Sequence, residues 1–141
     1  MKPSWISGFT DGEGCFVLGV HRTKNGRYVN LTPHFNIAQR ADDRKLLERI
    51  KDYFGVGTVD DRGPAGSGSP MIIYSVRRIL DFPPVVNHFS SYPLLSRKRL
   101  DFETWKEGVS IMITAAHRPK TKSKVPKGLK RFTEEELHRL T

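Results

Sequence analysis

Cysteine is almost absent from the sequence: Cys15 is the only one among 141 residues. A single cysteine excludes an intramolecular disulfide and is typical of proteins in a reducing compartment. Long apolar runs are also absent, so the sequence contains no stretch of the length that crosses a membrane. Residues 1–4 show no apolar segment of the kind found in signal peptides. We therefore expect a soluble intracellular protein without a membrane partner.

Negative charge is scarce as well. The sequence has 15 Asp and Glu against 24 Lys and Arg, which gives a formal net charge of +9. A surplus of this size favours a polyanionic partner such as a nucleic acid, although a charge surplus that serves only solubility has the same composition. The length of the chain suffices for one domain with a hydrophobic core.

Many of the basic residues stand near the C-terminus. Residues 118–131, RPKTKSKVPKGLKR, are basic, contain proline and have few apolar side chains, which is typical of an exposed arm. Residues 133–136, TEEE, form a capping box that predicts a last short helix. We therefore divide the chain into a domain at 1–117 and a basic C-terminal arm with a short helix at 118–141.

Apolar periodicity and turn signals predict the element order αββαββα, followed by one further helix. We expect helices at 5–10, 42–54, 81–90 and 96–117, and strands at 15–22, 28–39, 56–62 and 71–78. Asn-Gly at 25–26 predicts the first hairpin turn. Four such strands favour an α+β fold, in which an antiparallel four-stranded sheet carries helices on one face.

The strand at 28–39 alternates between two kinds of residue. Leu31, Pro33, Phe35 and Ile37 form an apolar face that we assign to the core, and Pro33 predicts an edge or a bulge. The predicted polar face of the whole sheet has Asn30, Thr32, His34 and Asn36 on this strand, and His21, Asp60, Arg62, Ser75 and Arg77 on the others. Such side chains can read base edges, and an ordinary solvated face has a similar composition; the net charge favours nucleic acid.

Residues 5–16, WISGFTDGEGCF, place two acids among glycines at the end of a short helix. Gly8 shares a helix face with Trp5 and Gly12, so another backbone can come close there. Taken alone, such an acid pair is more often a cap beside turn residues than a site.

The longer pattern is more specific. Residues 6–14, ISGFTDGEG, resemble the LAGLIDADG motif of homing endonucleases position by position. The segments GVGTVDDRG at 55–63, YPLLSRKR at 92–99 and the strand end at Ala38-Gln39 are similar to further parts of that family, so the resemblance covers residues 4–117. It implies a saddle-shaped sheet and a double-strand cut across the minor groove that leaves short 3′ overhangs. Since only one motif is present, it also implies a C2 homodimer on a long, roughly palindromic DNA target.

The resemblance also implies roles for single residues. Glu13 would bind a divalent metal, Mg²⁺ with Mn²⁺ as a substitute, and the Gly12 carbonyl would add a ligand. Asp11 would have a structural role at the helix end. Gln39 would lie near the attacking water and Lys98 near the phosphate. Which of Arg97, Lys98 and Arg99 points inward stays open, as does the choice between Arg40 and Arg44 for a further arginine at the site.

Two alternatives remain at this point. One is a LAGLIDADG-like protein that binds DNA without cutting it, or an RNA maturase that assists intron splicing, with intron RNA as a partner. The other is an unrelated basic module that binds RNA, against which stands the assignment of Phe35 and Tyr74 to core positions rather than to an exposed stacking surface. The resemblance fits a prokaryotic cytoplasm or an organelle such as a mitochondrion or chloroplast.

Overall fold

The computed structural model describes residues 1–24, 26, 29–63 and 68–116. Its elements follow the predicted order, with short 3₁₀ turns at Ala41–Asp43 and Ile79–Asp81. They are α1 (Pro3–Glu13), β1 (Gly14–Arg22), β2 (Val29–Arg40), α2 (Arg44–Phe54), β3 (Thr58–Arg62), β4 (Met71–Val76), α3 (Phe82–Ser91) and α4 (Lys98–Ala116). The arm and the last helix, predicted for 118–141, lie outside the described residues, as does Asn25 of the predicted turn.

The four strands form one antiparallel sheet in the order β1-β2-β4-β3, as predicted. β2 pairs with β1 from Val29 to Ile37 and with β4 from Phe35 to Arg40. Pro33, opposite Leu18, therefore lies where one edge of β2 is unpaired. This agrees with the expectation from its missing N–H donor.

Helices cover one face of the sheet. Phe35 and Ile37 of β2 and Tyr74 of β4 are fully buried beneath them, as the alternation predicts. The Phe16 ring of β1 joins this core, with its centroid 4.9 Å from that of Phe35 and 5.5 Å from that of Trp105 on α4. Within the described residues, no helix combines the length and the apolar content that a membrane crossing requires.

α4 covers the part of the sheet that lies beyond the main core. Val29 and Leu31 of β2 pack there with Leu18 and with Met112 of α4. Gly108 allows this contact, because a Cβ at that position would lie 2.9 Å from the Leu18 side chain. α4 therefore holds the outer part of the β1–β2 hairpin in place.

The bounds of α1 correct the prediction. The helix begins at Pro3, after Lys2 as N-cap, and not after Ser4, and it continues through Gly12 to Glu13. Pro3 fits the first helical turn, where its missing N–H has no partner to lose. The last turn is held by contacts from residues 95–98, described below, and these offset the low helix propensity of Gly12. Glu13 thus lies on the helix and not in a loop beyond it.

Candidate active site

The motif helix α1 has two different sides. Ile6, Ser7 and Thr10 are buried against the rest of the domain. Gly8 and Gly12 are exposed, and a Cβ added to either would meet no atom within 4 Å. We refer to the surface around Gly8 and Gly12 as the open side of α1, because nothing among the described residues covers it.

Asp11 is bonded to the segment that leads into α4. Its carboxylate accepts hydrogen bonds from the backbone N–H groups of Leu95 (2.9 Å) and Ser96 (3.0 Å) and from the Ser96 hydroxyl (2.6 Å). Burial raises the pKa of Asp11, but these three bonds and the charge of Lys98 outweigh it, so the pKa lies below its ordinary value. Asp11 is therefore a charged cap for the turn before α4, which agrees with the structural role that the motif implies.

Lys98 forms a second set of hydrogen bonds between α4 and α1. Its ammonium donates to the carbonyl oxygens of Thr10 (3.1 Å) and Asp11 (3.0 Å) at the C-terminal end of α1. These carbonyls carry the negative end of the helix dipole, so a cation is stabilised there. Of the three neighbouring cations, Lys98 is half-buried and bonded to α1, while Arg97 and Arg99 are both exposed.

Glu13, the last residue of α1, is exposed and makes no hydrogen bond or ion pair with any residue that the structure describes. It is thus a free carboxylate beside the carbonyl end of a helix. Such oxygen donors suit hard divalent cations like Mg²⁺ and Mn²⁺. Across the described ranges, however, no three His, Cys, Asp or Glu side chains converge in a way that holds a metal ion. Among the described residues, Glu13 is therefore a single candidate metal donor and not part of a converging cluster.

Gln39 lies near this end of α1 but not on the polar face of the sheet. It pairs with Ile72 and points with Ile37 to the helix side. Gly14, which follows Glu13, pairs with Ile37, so Gln39 is two residues, or about 7 Å, further along the same strand. No described contact brings Arg40 or Arg44 to α1: Arg40 pairs with Asp42 (3.4 Å), and Arg44 pairs with Asp61 and Glu48.

The other face of the sheet gathers the predicted polar residues. On neighbouring strands, His21 stands opposite Asn30, and Asn36 stands opposite Ser75. Arg62 and Arg40 both pair with Met71, so they lie on the same face. Continuing the β2–β4 register puts Arg77 opposite His34. Burial, and then the Arg77 charge, lower the pKa of His34, so this ring is held neutral beside a cation. The shared face carries His21, Asn30, Thr32, His34, Asn36, Asp60, Arg62, Ser75 and Arg77.

This polar face also contains apolar side chains that the sequence analysis did not assign to it. Ala38 stands opposite Ile73, and both are half-buried. Alternation along β4, read outward from Ser75, would have placed Ile73 and Met71 on this face. Close to the hairpin, Thr32 fills the space above Gly19, where a Cβ would overlap its hydroxyl. The face is therefore polar at its two ends and partly apolar between them.

Comparison with known families gives one match over most of the chain. The family model described as LAGLIDADG endonuclease matches residues 6–109. This range includes most of α1, all four strands and most of α4. It therefore contains Glu13, Gln39 and Lys98 within a single matched region.

Individual relatives agree with this match. The crystal structure of a homing endonuclease, I-TnaI, superimposes with a TM-score of 0.75 at 28% identity, covering 99% of this chain and 83% of its own. The LAGLIDADG meganuclease I-AabMI, bound to uncleaved DNA, is 32% identical with a TM-score of 0.70, covering 83% of this chain and 39% of its own. An uncharacterized 50.9 kDa protein in ND4 intron 1 of Podospora anserina is 32% identical over 120 residues, 83% of this chain. The chain spans about a quarter of the length of the curated relatives it matches.

Proposed function

Because the chain belongs to the LAGLIDADG endonuclease family, we propose that it is a homing endonuclease that makes a metal-dependent double-strand cut in DNA as a homodimer. The observation that carries this proposal is Glu13, an exposed carboxylate at the end of the motif helix that has no partner among the described residues. A carboxylate of this kind contributes nothing to the fold of the described chain. It is therefore available to a metal ion and a substrate.

The homodimer follows from what one chain lacks. At the end of α1 each chain places one carboxylate, Glu13, that has no partner among the described residues, and no described atom covers Gly8 or Gly12 on the open side of α1. Two copies related by a two-fold axis would pack these sides together and bring two Glu13 residues close to each other. The chain covers 83% of I-TnaI but only 39% of I-AabMI, whose chain is therefore long enough for two such units. We propose that a second copy takes the place of that additional length.

Two Glu13 carboxylates at such an interface would repel each other unless a cation lies between them. The Glu13 carboxylate and the Gly12 carbonyl are the groups that would hold it, with Mg²⁺ as the preferred ion and Mn²⁺ as a substitute. When bound, such an ion supplies an activated water and stabilises the leaving oxygen of a phosphodiester.

Gln39 and Lys98 would complete the site on either side of Glu13. The Gln39 amide has both a donor and an acceptor, so it can orient an attacking water. Lys98 would add positive charge near the phosphate, where negative charge develops. Its bonds to the Thr10 and Asp11 carbonyls give it a second task, because they also hold the end of α1 that carries Glu13.

The polar face of the sheet is the surface we assign to DNA. Arg62 and Arg77 are exposed on it and have the donor geometry that reads guanine in the major groove. The half-buried Ala38 and Ile73 offer apolar contact to a thymine methyl. Two sheets in a dimer would follow two successive segments of the groove, so the target would be long and roughly palindromic. The location of one relative in an intron supports an intron-encoded origin for this chain as well.

The first experiment tests metal-dependent cutting directly. We expect the purified full chain to cut members of a long random-sequence duplex library in Mg²⁺ or Mn²⁺, and not in excess chelator. Ca²⁺ should support binding with little cutting, because it is larger and a poorer activator of water. Sequencing of the cut ends identifies the site, and a mobility shift in Ca²⁺ measures binding separately. Equal cutting in chelator would refute the metal mechanism, while binding without cutting in every metal would favour the non-cleaving alternative.

A further inference from the structure

A buried polar cluster lies beneath α1, outside the candidate active site. The His88 ring of α3 stands between two hydroxyl groups: Nε2 is 3.1 Å from Ser7 Oγ of α1, and Nδ1 is 2.8 Å from Tyr53 Oη of α2. The Ser7 hydroxyl in turn donates to the Tyr92 carbonyl at 2.6 Å. We call these four residues the His88 network. It connects three helices through side chains far apart in the sequence.

The bonds determine where the protons lie. Because Ser7 gives its only hydroxyl proton to the Tyr92 carbonyl, it must accept from His88, so Nε2 carries a proton. A neutral ring then has a free lone pair on Nδ1, which accepts from the Tyr53 hydroxyl. Every donor in this chain of bonds therefore points in one direction, from Tyr53 through His88 and Ser7 to a backbone carbonyl. Of the two neutral tautomers, only the Nε2–H form satisfies all three bonds.

The surroundings also favour a neutral ring. His88 is only 6% exposed, and burial lowers its pKa to about 4. The aromatic rings of Phe54 and Phe89 pack against it, with centroids at 5.4 and 4.6 Å. The titratable groups that face it are the phenols of Tyr53 from α2 and of Tyr92 at the end of α3, while α1 offers the Ser7 hydroxyl. No carboxylate or cation among the described residues forms a hydrogen bond or an ion pair with the ring.

We propose that His88 is a positioning residue: through Ser7 it sets the rotation of α1 and thereby the direction in which Glu13 points. Ser7 lies about 140° around the helix from Gly12 and about 9 Å along the axis from Glu13. Asp11 and Lys98 hold the end of the helix, and the His88 network is its hydrogen-bonded anchor further back. The proposal rests on the function proposed above, since the direction of Glu13 matters only if Glu13 acts there.

The ring itself is tested by NMR without any need for activity. We expect ¹⁵N-labelled full chain to show His88 as a single neutral tautomer, protonated on Nε2, from pH 8 to below pH 5. The amides of Gly12 and Gly14 should shift in Ser7→Ala, because the helix end moves, but not in Ser4→Ala, a matched change at an exposed position of the same helix. A ring that is protonated on Nδ1, or cationic at pH 7, would overturn the proposal, as would unmoved Gly12 and Gly14 amides in Ser7→Ala.

Acid should weaken this anchor in a defined window. The ring has an ordinary pKa of 6.5 when unfolded and about 4 when folded, so the unfolded chain binds more protons between these values. The free energy of unfolding is therefore highest above pH 6.5 and decreases as the pH falls toward 4. We expect the melting temperature of the wild type to fall across this window more steeply than that of His88→Gln, which does not titrate. Parallel curves for the two proteins would show that the ring is not held neutral.

Kinetics separate positioning from folding. We expect Ser7→Ala to lower the single-turnover rate at saturating DNA about tenfold, with the KM for DNA unchanged, because a misdirected Glu13 affects the reaction and not binding. His88→Gln alone should keep most of the wild-type rate, since its amide N–H can still reach Ser7. Ser7→Ala with the wild-type rate would refute the positioning role. If the wild type cuts no DNA, the proposed function fails, whereas the NMR shifts still decide whether the network positions α1.

Discussion

The two sides of α1 differ in the contacts that they make with the rest of the chain. On the inner side, Ser7 is hydrogen-bonded to α3, and at the helix end Asp11 and Lys98 exchange bonds between α1 and the start of α4. On the open side, Gly8 and Gly12 have no atom within reach of a Cβ, and Glu13 has no partner among the described residues. The inner side thus completes a fold, while the open side still lacks a partner.

The sheet repeats this difference. Its helix side buries Phe35, Ile37 and Tyr74 completely. Its other side leaves Arg62 and Arg77 exposed. Residues that stabilise the chain and residues that are available to a partner therefore alternate along the same strand. This separation predicts that substitutions on the two sides will affect stability and function independently.

The largest expected effect distinguishes the two acids of the motif. Glu13→Gln keeps the size of the side chain but removes its charge, so cutting should fall on the order of a thousandfold, with the melting temperature unchanged. Asp11→Asn should instead lower stability by roughly 1–3 kcal/mol, because the cap loses its charge-assisted bonds. Cleavage rates beside thermal unfolding curves measure both. If Glu13→Gln cuts normally, the metal ligand lies elsewhere and the open side has a different purpose.

A somewhat smaller effect should separate the fold from the dimer. Gly8→Val adds a side chain where the single chain has free space, so the monomer should stay folded. Between two α1 helices the same side chain would overpack the interface and cost about 1–3 kcal/mol. Sedimentation at micromolar concentration should show a monomer, and circular dichroism should show that this monomer is folded. Ser4→Val is the control at an exposed position of the same helix, and a Gly8→Val protein that remains an active dimer would place the interface elsewhere.

The smallest effect concerns the polar face of the sheet. Arg77→Ala or Arg62→Ala should cost roughly 1–3 kcal/mol in binding and relax discrimination at one base pair in each half-site. Arg78→Ala is the matched control, because Arg78 is exposed, has the same charge and follows Arg77 directly, but belongs to the turn before α3. A cleavage-site selection on each variant measures base preference. Changed preference in Arg78→Ala, with none in the other two, would mean that DNA lies on another surface.

Local pattern was sufficient for much of the fold. Alternation along 28–39 predicted which residues of β2 are buried. The motif predicted a structural role for Asp11, and the role that it implies for Glu13 stays a prediction. The ends of α1 were predicted wrongly, because Gly12 reads locally as a helix terminator while the contacts of Asp11 and Lys98 keep it helical. Ile73 on the polar face was missed although the period of β4 indicated it.

The sequence by itself determined the order of the elements, the two faces of the sheet and the candidate acid, because these follow from periods of two and 3.6 residues and from one motif. The tertiary structure alone decided that Lys98 turns to the carbonyls of α1, that Asp11 caps the turn before α4 and that His88 joins Ser7 to Tyr53. The Ser7, Asp11 and Lys98 contacts join residues more than 80 positions apart. No local period encodes such a contact, since it forms only when packing of the core brings the helices together.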